Sequence, residues 1–183
     1  MTRVRRCVCL CWLFLGAVTL RADVASGLAV GAPTPSIPVW DVTGAYKGQR
    51  ICYVCEFQDA PNVLAFFRDT GDDTARFIEQ LNALYVQHRD RGFKAVAMVV
   101  AGEDAAPWLE QLHASGDIEI PLTVFKRGPR DVAARLYELN PEASNTFLVT
   151  KNRFVTANVA GIDPEGFSRV ASAAADAVSQ PSR

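Results

Sequence analysis

The sequence predicts an α/β fold: a three-layer α/β/α sandwich with a mixed central sheet and an N-terminal β-hairpin extension. Two observations predict it. Short apolar runs that suit buried strands alternate with segments of helical periodicity, as in parallel βα units. Near the end of the chain, two strand-like runs flank a tight turn at residues 151–153, which indicates an antiparallel hairpin in the same sheet.

Residues 1–30 differ in character from the rest of the chain. Three arginines among the first six residues precede an apolar run of 14 residues, 7–20, and small residues follow. A bilayer span takes about 20 residues, so the pattern predicts an export signal, cleaved between residues 22 and 31. An uncleaved anchor is the alternative.

Cleavage would remove Cys7, Cys9 and Cys11 and leave only Cys52 and Cys55. We therefore expect an exported, periplasmic or extracytoplasmic protein without a stable membrane span after signal cleavage. An oxidising compartment favours a disulfide between the two remaining cysteines. The net charge of −1 gives no basic field that points to nucleic acid.

Residues 31–179 are predicted to form a single domain, and residues 180–183 a frayed tail. The predicted strands are residues 37–42, 49–54, 62–67, 93–100, 120–125, 146–150 and 154–159. The predicted helices are residues 72–88, 108–114, 131–139 and 163–178.

Local signals support each of these elements in turn. The alternating residues 37–42 and the run 49–54 flank a turn and predict the hairpin. The continuous apolar run 62–67 predicts a central strand buried on both faces. Phe77, Leu81 and Leu84 then repeat at helical spacing. Later helices begin where prolines suit a first turn.

This order of elements resembles the thioredoxin-like fold, in its redoxin or peroxiredoxin-like branch, over about residues 31–178. Several stretches carry the resemblance. They are Gly31-Ala32-Pro33 with Gly44, the strand and helix from Asn62, Ile120-Pro121-Leu122 with Leu136-Tyr137-Glu138-Leu139, and residues 144–149 with Asn152 and Gly161. The resemblance implies the fold rather than an activity.

Two departures separate this chain from active members of that family. Those members carry a nucleophilic cysteine in the loop after the first core strand, whereas residues 68–74 contain no sulfur. They also carry a cis-proline that faces this loop, and the matching position here is about Ser144. The resemblance therefore gives no catalytic residue, and we predict no peroxidase activity of the peroxiredoxin kind.

Cys52 and Cys55 form a C-x-x-C pair, the spacing of redox dithiols, and are the candidate catalytic residues for thiol–disulfide exchange with a protein partner. The main alternative is a non-catalytic binding or scaffold protein in which the pair is a structural staple or is inert. Metal binding is less favoured, because zinc usually takes four ligands, although zinc shared between two chains stays open. We interpret His88 and His113 as helix-surface residues. No cofactor is predicted, since haem attachment would need histidine where Glu56 stands.

The predicted strand 49–54 has consequences for this pair. Residues three apart in a strand lie about 10 Å apart, beyond the roughly 7 Å limit for a disulfide. We therefore predict a bend at Tyr53-Val54 and a bond that is reduced more easily than a structural disulfide. Because the pair precedes the core strand, we also expect it at the opposite edge from the usual active loop, beside helix C-termini, without an unusually low thiol pKa.

Overall fold

The computed structural model describes residues 24–180 as one sheet with flanking helices. The strands are β1 (Val39–Asp41), β2 (Arg50–Ile51), β3 (Asn62–Phe67), β4 (Lys94–Val99), β5 (Leu122–Val124), β6 (Asn145–Lys151) and β7 (Phe154–Ala160). The helices are α1 (Tyr53–Phe57), α2 (Asp72–His88), α3 (Ala106–Ser115), α4 (Val132–Leu136) and α5 (Ser168–Ser179). Most of the predicted export signal and residues 181–183 lie outside the described residues.

The seven strands follow the order β2-β1-β5-β4-β3-β6-β7. β3, β4 and β5 are parallel, while β6 runs antiparallel to β3, and β7 antiparallel to β6. β1 pairs antiparallel with both β2 and β5, so the predicted N-terminal hairpin extends the sheet on one side. The predicted mixed sheet and α/β class are confirmed.

Two hydrophobic cores lie on opposite faces of this sheet, as alternation along each strand requires. α2, α3 and α5 pack on the face that receives Phe67 and Val149. α1 and α4 pack on the other face, which receives Leu64, Phe66 and Leu148. The chain is therefore a three-layer sandwich. Among residues 24–180, no helix has the length and apolar character needed to cross a bilayer.

Most predicted elements are present with shifts of a few residues at their ends, and β3 and α2 agree at both ends. The predicted strand at residues 49–54 is wrong. β2 ends at Ile51, and Tyr53 begins helix α1.

Residues 24–30, which the sequence assigns to the export signal and linker, pack against the domain. Ser26 and Leu28 are buried. The Ser26 hydroxyl lies 2.6 Å from the Thr146 hydroxyl, and the Asn158 amide donates to the carbonyl oxygens of Ser26 and Leu28. The packed domain thus begins before residue 31, the predicted boundary.

The next residues run along the outer edge of β7. The Gly31 amide donates to the Val155 carbonyl at 2.8 Å, and the Val155 amide donates to the Ala32 carbonyl at 2.9 Å. The Thr34 amide donates to the Arg153 carbonyl at 2.8 Å. We call residues 24–34 the edge segment: residues 31–34 bind the backbone of β7 at its outer edge, and the Asn158 side chain holds the residues before them.

Candidate functional site: the cysteine turn

Cys52 and Cys55 are joined by a disulfide at the start of α1, and we call residues 52–55 the cysteine turn. Their Cα atoms lie 5.2 Å apart, about half the separation expected for a strand. A helical turn brings residues i and i+3 onto one side at this distance. The argument that the bond is reduced more easily than a structural disulfide therefore loses its basis, because it assumed a strand.

Burial of three side chains explains why this segment is a helix. Tyr53, Val54 and Phe57 all pack into the core on the face shared with α4. The Tyr53 and Phe57 rings lie 5.5 Å apart between centroids, one helical turn from each other. In a strand, Tyr53 and Val54 would point to opposite faces, so packing overrides their β propensity.

Asp41 anchors the cysteine turn from β1. Its side chain is buried and accepts three hydrogen bonds, from the Gly44 amide at 2.7 Å, the Tyr46 amide at 2.9 Å and the Tyr53 hydroxyl at 2.8 Å. Burial, and then the hydrogen bond to Asp41, raises the pKa of Tyr53 well above its usual range. Tyr53 is therefore a neutral donor that ties the helix to the sheet.

Gly44 permits this close approach. A Cβ atom at residue 44 would lie 2.5 Å from the Tyr53 hydroxyl oxygen and 2.7 Å from an Asp41 carboxylate oxygen. Any side chain here would displace the two groups that hold the cysteine turn.

A second contact holds the outer side of α1. The Tyr46 hydroxyl donates to the Glu56 carboxylate at 2.7 Å, and this hydrogen bond raises the pKa of Tyr46. Tyr53, between the two cysteines, thus binds β1, and Glu56, just after them, binds the loop that joins β1 to β2.

The two sulfur-bearing residues differ in accessibility. Cys55 is exposed, whereas Cys52 is half-buried and packs against the core. Cys52 is also the N-cap of α1, and its Sγ accepts a hydrogen bond from the Cys55 amide at 3.2 Å. Solvent and a partner therefore reach the disulfide from the Cys55 side, while the sulfur behind it already has a backbone donor.

The strand register shows where this turn lies in the sheet. Arg50 of β2 pairs with Trp40 of β1, which pairs in turn with Val124 of β5. Val124 pairs with Val99 of β4, and Val99 pairs with Phe67, the last residue of β3. The end of β2 is therefore level with the carboxyl end of β3.

Cys52 follows β2 at this carboxyl edge, so the expected location at the opposite edge is wrong. α1 and the link after it return the chain to the amino end of β3, and this return was not visible in the sequence. β2 and β3 are four strand spacings apart, or about 19 Å at about 4.8 Å each. The cysteine turn thus lies at the same edge as the loop after β3 but well to one side.

The loop after β3 occupies the position that the family uses for chemistry. Its residues 68–71 lead into α2, whose N-cap is Gly71 without a side-chain hydrogen bond. Thr74 lies inside the helix, and its hydroxyl donates to the Asp69 carbonyl at 3.2 Å. The Arg68 amide donates to the Ser144 carbonyl at 3.0 Å, so Ser144 does face this loop.

The two histidines lie away from the cysteines. His88 is buried, so its prediction as a helix-surface residue is wrong, whereas His113 is exposed as predicted. Nδ1 of His88 accepts a hydrogen bond from the Arg91 guanidinium, and burial, then the charge of Arg91, lowers the pKa of His88. Among residues 24–180, no three His, Cys, Asp or Glu side chains are grouped as a metal ion would require.

Sequence reasoning found the cysteines but missed Asp41, Tyr46 and Tyr53. A sequence signal existed, since aspartate three residues before glycine is typical of a turn with a side-chain acceptor. It could not reveal that a tyrosine twelve residues later would bind the same carboxylate.

With this geometry, the fold is that of the thioredoxin-like redoxins. A structure described as a thiol:disulfide interchange protein DsbE from Chlorobium tepidum matches with a TM-score of 0.64 and 14% identity, covering 82% of this chain and 99% of the other. A structure described as a protein disulfide isomerase from Bacteroides thetaiotaomicron matches with a TM-score of 0.67 and 12% identity, covering 86% of this chain and 96% of the other.

Peroxidoxin BcpB from Mycobacterium tuberculosis matches with a TM-score of 0.64 and 15% identity, covering 82% of this chain and 98% of the other. The sequence matches no protein-family model and no curated protein. At such low identities the likeness establishes the fold, and the chemistry has to be argued from the residues of this chain.

Proposed function

We propose that this protein is an exported thiol–disulfide exchange protein that acts on protein partners through Cys52 and Cys55. The observation that carries the proposal is the disulfide itself, which is closed between residues of unequal accessibility. The thioredoxin-like redoxin fold and this pair fit a thiol–disulfide role.

The unequal exposure of the two cysteines determines which sulfur a partner thiolate attacks. A partner thiolate reaches the exposed Cys55 Sγ, forms a new sulfur–sulfur bond there and breaks the bond to Cys52. The electron pair of the broken bond moves to Cys52 Sγ, which leaves as a thiolate. The Cys55 amide that already donates to this sulfur would stabilise its negative charge.

The second step releases the partner. A second thiolate of the partner attacks its own sulfur in the mixed disulfide, the partner disulfide forms, and Cys55 leaves as a thiolate. The partner dithiol has then lost two electrons and the pair has gained them. The reverse sequence reduces a partner disulfide, and the reduction potential of the pair decides which direction prevails.

Export remains part of the proposal and rests on the basic start and short apolar run within residues 1–20. N-terminal sequencing of the protein from its native host tests it. We expect a mature start close to Val24, because Ser26 and Leu28 are packed in the domain. An intact Met1 in a soluble cytoplasmic fraction would contradict export.

Trapping of mixed disulfides tests the order of attack. We expect Cys52→Ser, which retains the exposed thiol, to form a mixed disulfide with oxidised glutathione about tenfold faster than the matched Cys55→Ser variant. Alkylation followed by mass spectrometry measures both. Equal rates, or a faster Cys55→Ser variant, would contradict attack at Cys55.

The second candidate function is a binding or scaffold protein with the disulfide as a staple. The packing of Cys52 against the core favours it, since the bond closes the first turn of α1 on itself next to that packed residue. Redox titration against glutathione separates the two: a bond that stays closed below about −300 mV behaves as a structural disulfide. That result would replace the exchange proposal with the staple.

A further inference from the structure

A cavity lies beside the loop after β3, on the face of the sheet shared with α4. Its volume is about 160 Å³, and we call it the β3 cavity. Its lining combines apolar groups with a few polar ones at the rim. The lining residues that carry the argument are Phe66, Arg68, Val100, Ala134, Leu139 and Ala143.

The interior suits one small apolar group. Phe66 of β3 and Val100, just after β4, line it together with Ala134 of α4 and Leu139, which follows that helix. In another protein, an enclosed apolar cavity of about 150 Å³ accepts benzene; the β3 cavity is similar in volume but open on one side. The β3 cavity therefore has room for a phenyl ring or a short branched alkyl group.

Arg68 supplies a positive charge at the rim. Its guanidinium contacts one Asp69 carboxylate oxygen and the Pro141 carbonyl, each at 3.4 Å. These contacts are longer than the usual 2.7–3.2 Å range for a hydrogen bond from nitrogen to oxygen. The side chain is 45% exposed, so an incoming carboxylate can reach it without desolvating a buried charge.

The polar side chains around the rim are occupied by bonds within the protein. The Ser26 and Thr146 hydroxyls bind each other, and the Asn140 amide donates to Ser26. The Asn145 side chain binds the backbone of Ile162 through both its amide nitrogen and its oxygen. Among the described lining residues, Arg68 is the charged group available to a ligand.

We propose that the β3 cavity binds a small apolar monocarboxylate, with its apolar group enclosed by Phe66, Val100 and Leu139 and its carboxylate on the Arg68 guanidinium. The planar guanidinium can bind both carboxylate oxygens at once. This proposal does not rest on thiol chemistry. The site occupies the position where the resembling family carries its cysteine, and in this chain it would bind a ligand instead.

Titration of the full chain with benzoate, followed by backbone amide NMR, tests the proposal. We expect saturable shifts at Val100, Ala143 and Thr146, with a Kd of about 1 mM or below, as suits so small a ligand. Benzamide, which has the same shape without the charge, and acetate, which lacks the apolar group, should each bind at least about tenfold more weakly.

Arg68→Gln and the matched Arg127→Gln variant complete the test. Both arginines are exposed at the same edge of the sheet, so neither change threatens folding. We expect Arg68→Gln to weaken benzoate binding about tenfold or more and Arg127→Gln to leave it unchanged. Equal effects of the two variants, equal binding of benzoate and benzamide, or no saturable shift at the cavity would each overturn the proposal.

Discussion

The loop after β3 and the cysteine turn lie at the same edge of one sheet, and each holds part of what the family combines in one place. The loop has the central position, the contact with Ser144 and an apolar cavity, but residues 68–74 contain no sulfur. The cysteine turn has a disulfide with an exposed residue, but it follows an edge strand four strands away.

The comparison teaches that the position of a site and its chemistry can separate while the fold stays unchanged. β3, the loop after it and α2 keep the strand, loop and long helix in which the resembling family carries its site. The cysteine pair is instead held by a five-residue helix and a hydrogen-bonded aspartate. Function in this chain has to be argued site by site rather than from the fold.

The largest expected effect separates the two regions by activity. A Cys52→Ser, Cys55→Ser double variant should lose reduction of a model protein disulfide by about a hundredfold or more, because no thiolate remains among residues 24–180 to attack it. Arg68→Gln should change this rate by less than about twofold. Assays of the reduced proteins at neutral pH measure both.

Disulfide exchange that persists in the double variant would show that residues other than Cys52 and Cys55 carry the reaction. A large loss in Arg68→Gln would show that the two regions act together, which contradicts their separation.

The next effect concerns the anchor of the cysteine turn. Asp41→Ala leaves the buried Tyr53 hydroxyl and the Gly44 amide without their acceptor. We expect the unfolding free energy to fall by about 3 kcal/mol or more, measured by urea denaturation. Asp131→Ala is the matched control: it removes the N-cap of α4 and should cost about 1 kcal/mol. Equal losses of unfolding free energy in the two variants would show that Asp41 contributes no more than a local cap does.

Reduction of the disulfide should have a smaller effect on stability. The bond closes a short loop, since only two residues separate the cysteines. Loop-closure entropy then gives about 2 kcal/mol of unfolding free energy. Urea unfolding with and without reductant measures the difference, and the double serine variant should be insensitive to reductant. A loss of the whole fold on reduction would favour the staple.

The smallest effect comes from pH and lies outside both regions. The pKa of His88 is lowered in the folded protein, so its unfolded form takes up a proton more readily. The contribution of His88 to stability is therefore present above about pH 6.5 and is lost as the pH falls through its lowered folded pKa.

His88→Gln should flatten the fall in unfolding free energy between neutral and acidic pH, and the exposed His113→Gln variant should not. The pH profile of disulfide exchange should be the same in both variants. A changed pH profile of disulfide exchange in His88→Gln would mean that protonation of the buried His88 alters the cysteine turn.

Elements with strong local patterns could be predicted from the sequence, whereas features created by packing could not. β3 and α2 were predictable because a continuous apolar run and a 3.6-residue period are local signals. α1 was not, because its helical form depends on burying Tyr53 against the sheet. The cysteines were visible as a motif. The edge of the sheet at which they lie follows from the pairing of β2 with β1, which the sequence does not reveal.

The β3 cavity and the packing of residues 24–30 were not predictable for a related reason. Ser26 and Leu28 are small or apolar residues beside a predicted cleavage region, and nothing local marks them as part of a core. Nothing in the sequence around Arg68 indicates that a cavity lies beside it.

The edge segment has a consequence for self-association. An open strand edge can pair with another copy of the chain, and residues 31–34 hydrogen-bond to that side of β7 at Arg153 and Val155. A processing cut near Gly31 would remove the residues that Asn158 holds and loosen the rest of the segment. The edge of β7, with Phe154 already half exposed, would then be less well covered against pairing with another copy. We therefore expect the position of any processing cut to affect how readily the protein self-associates.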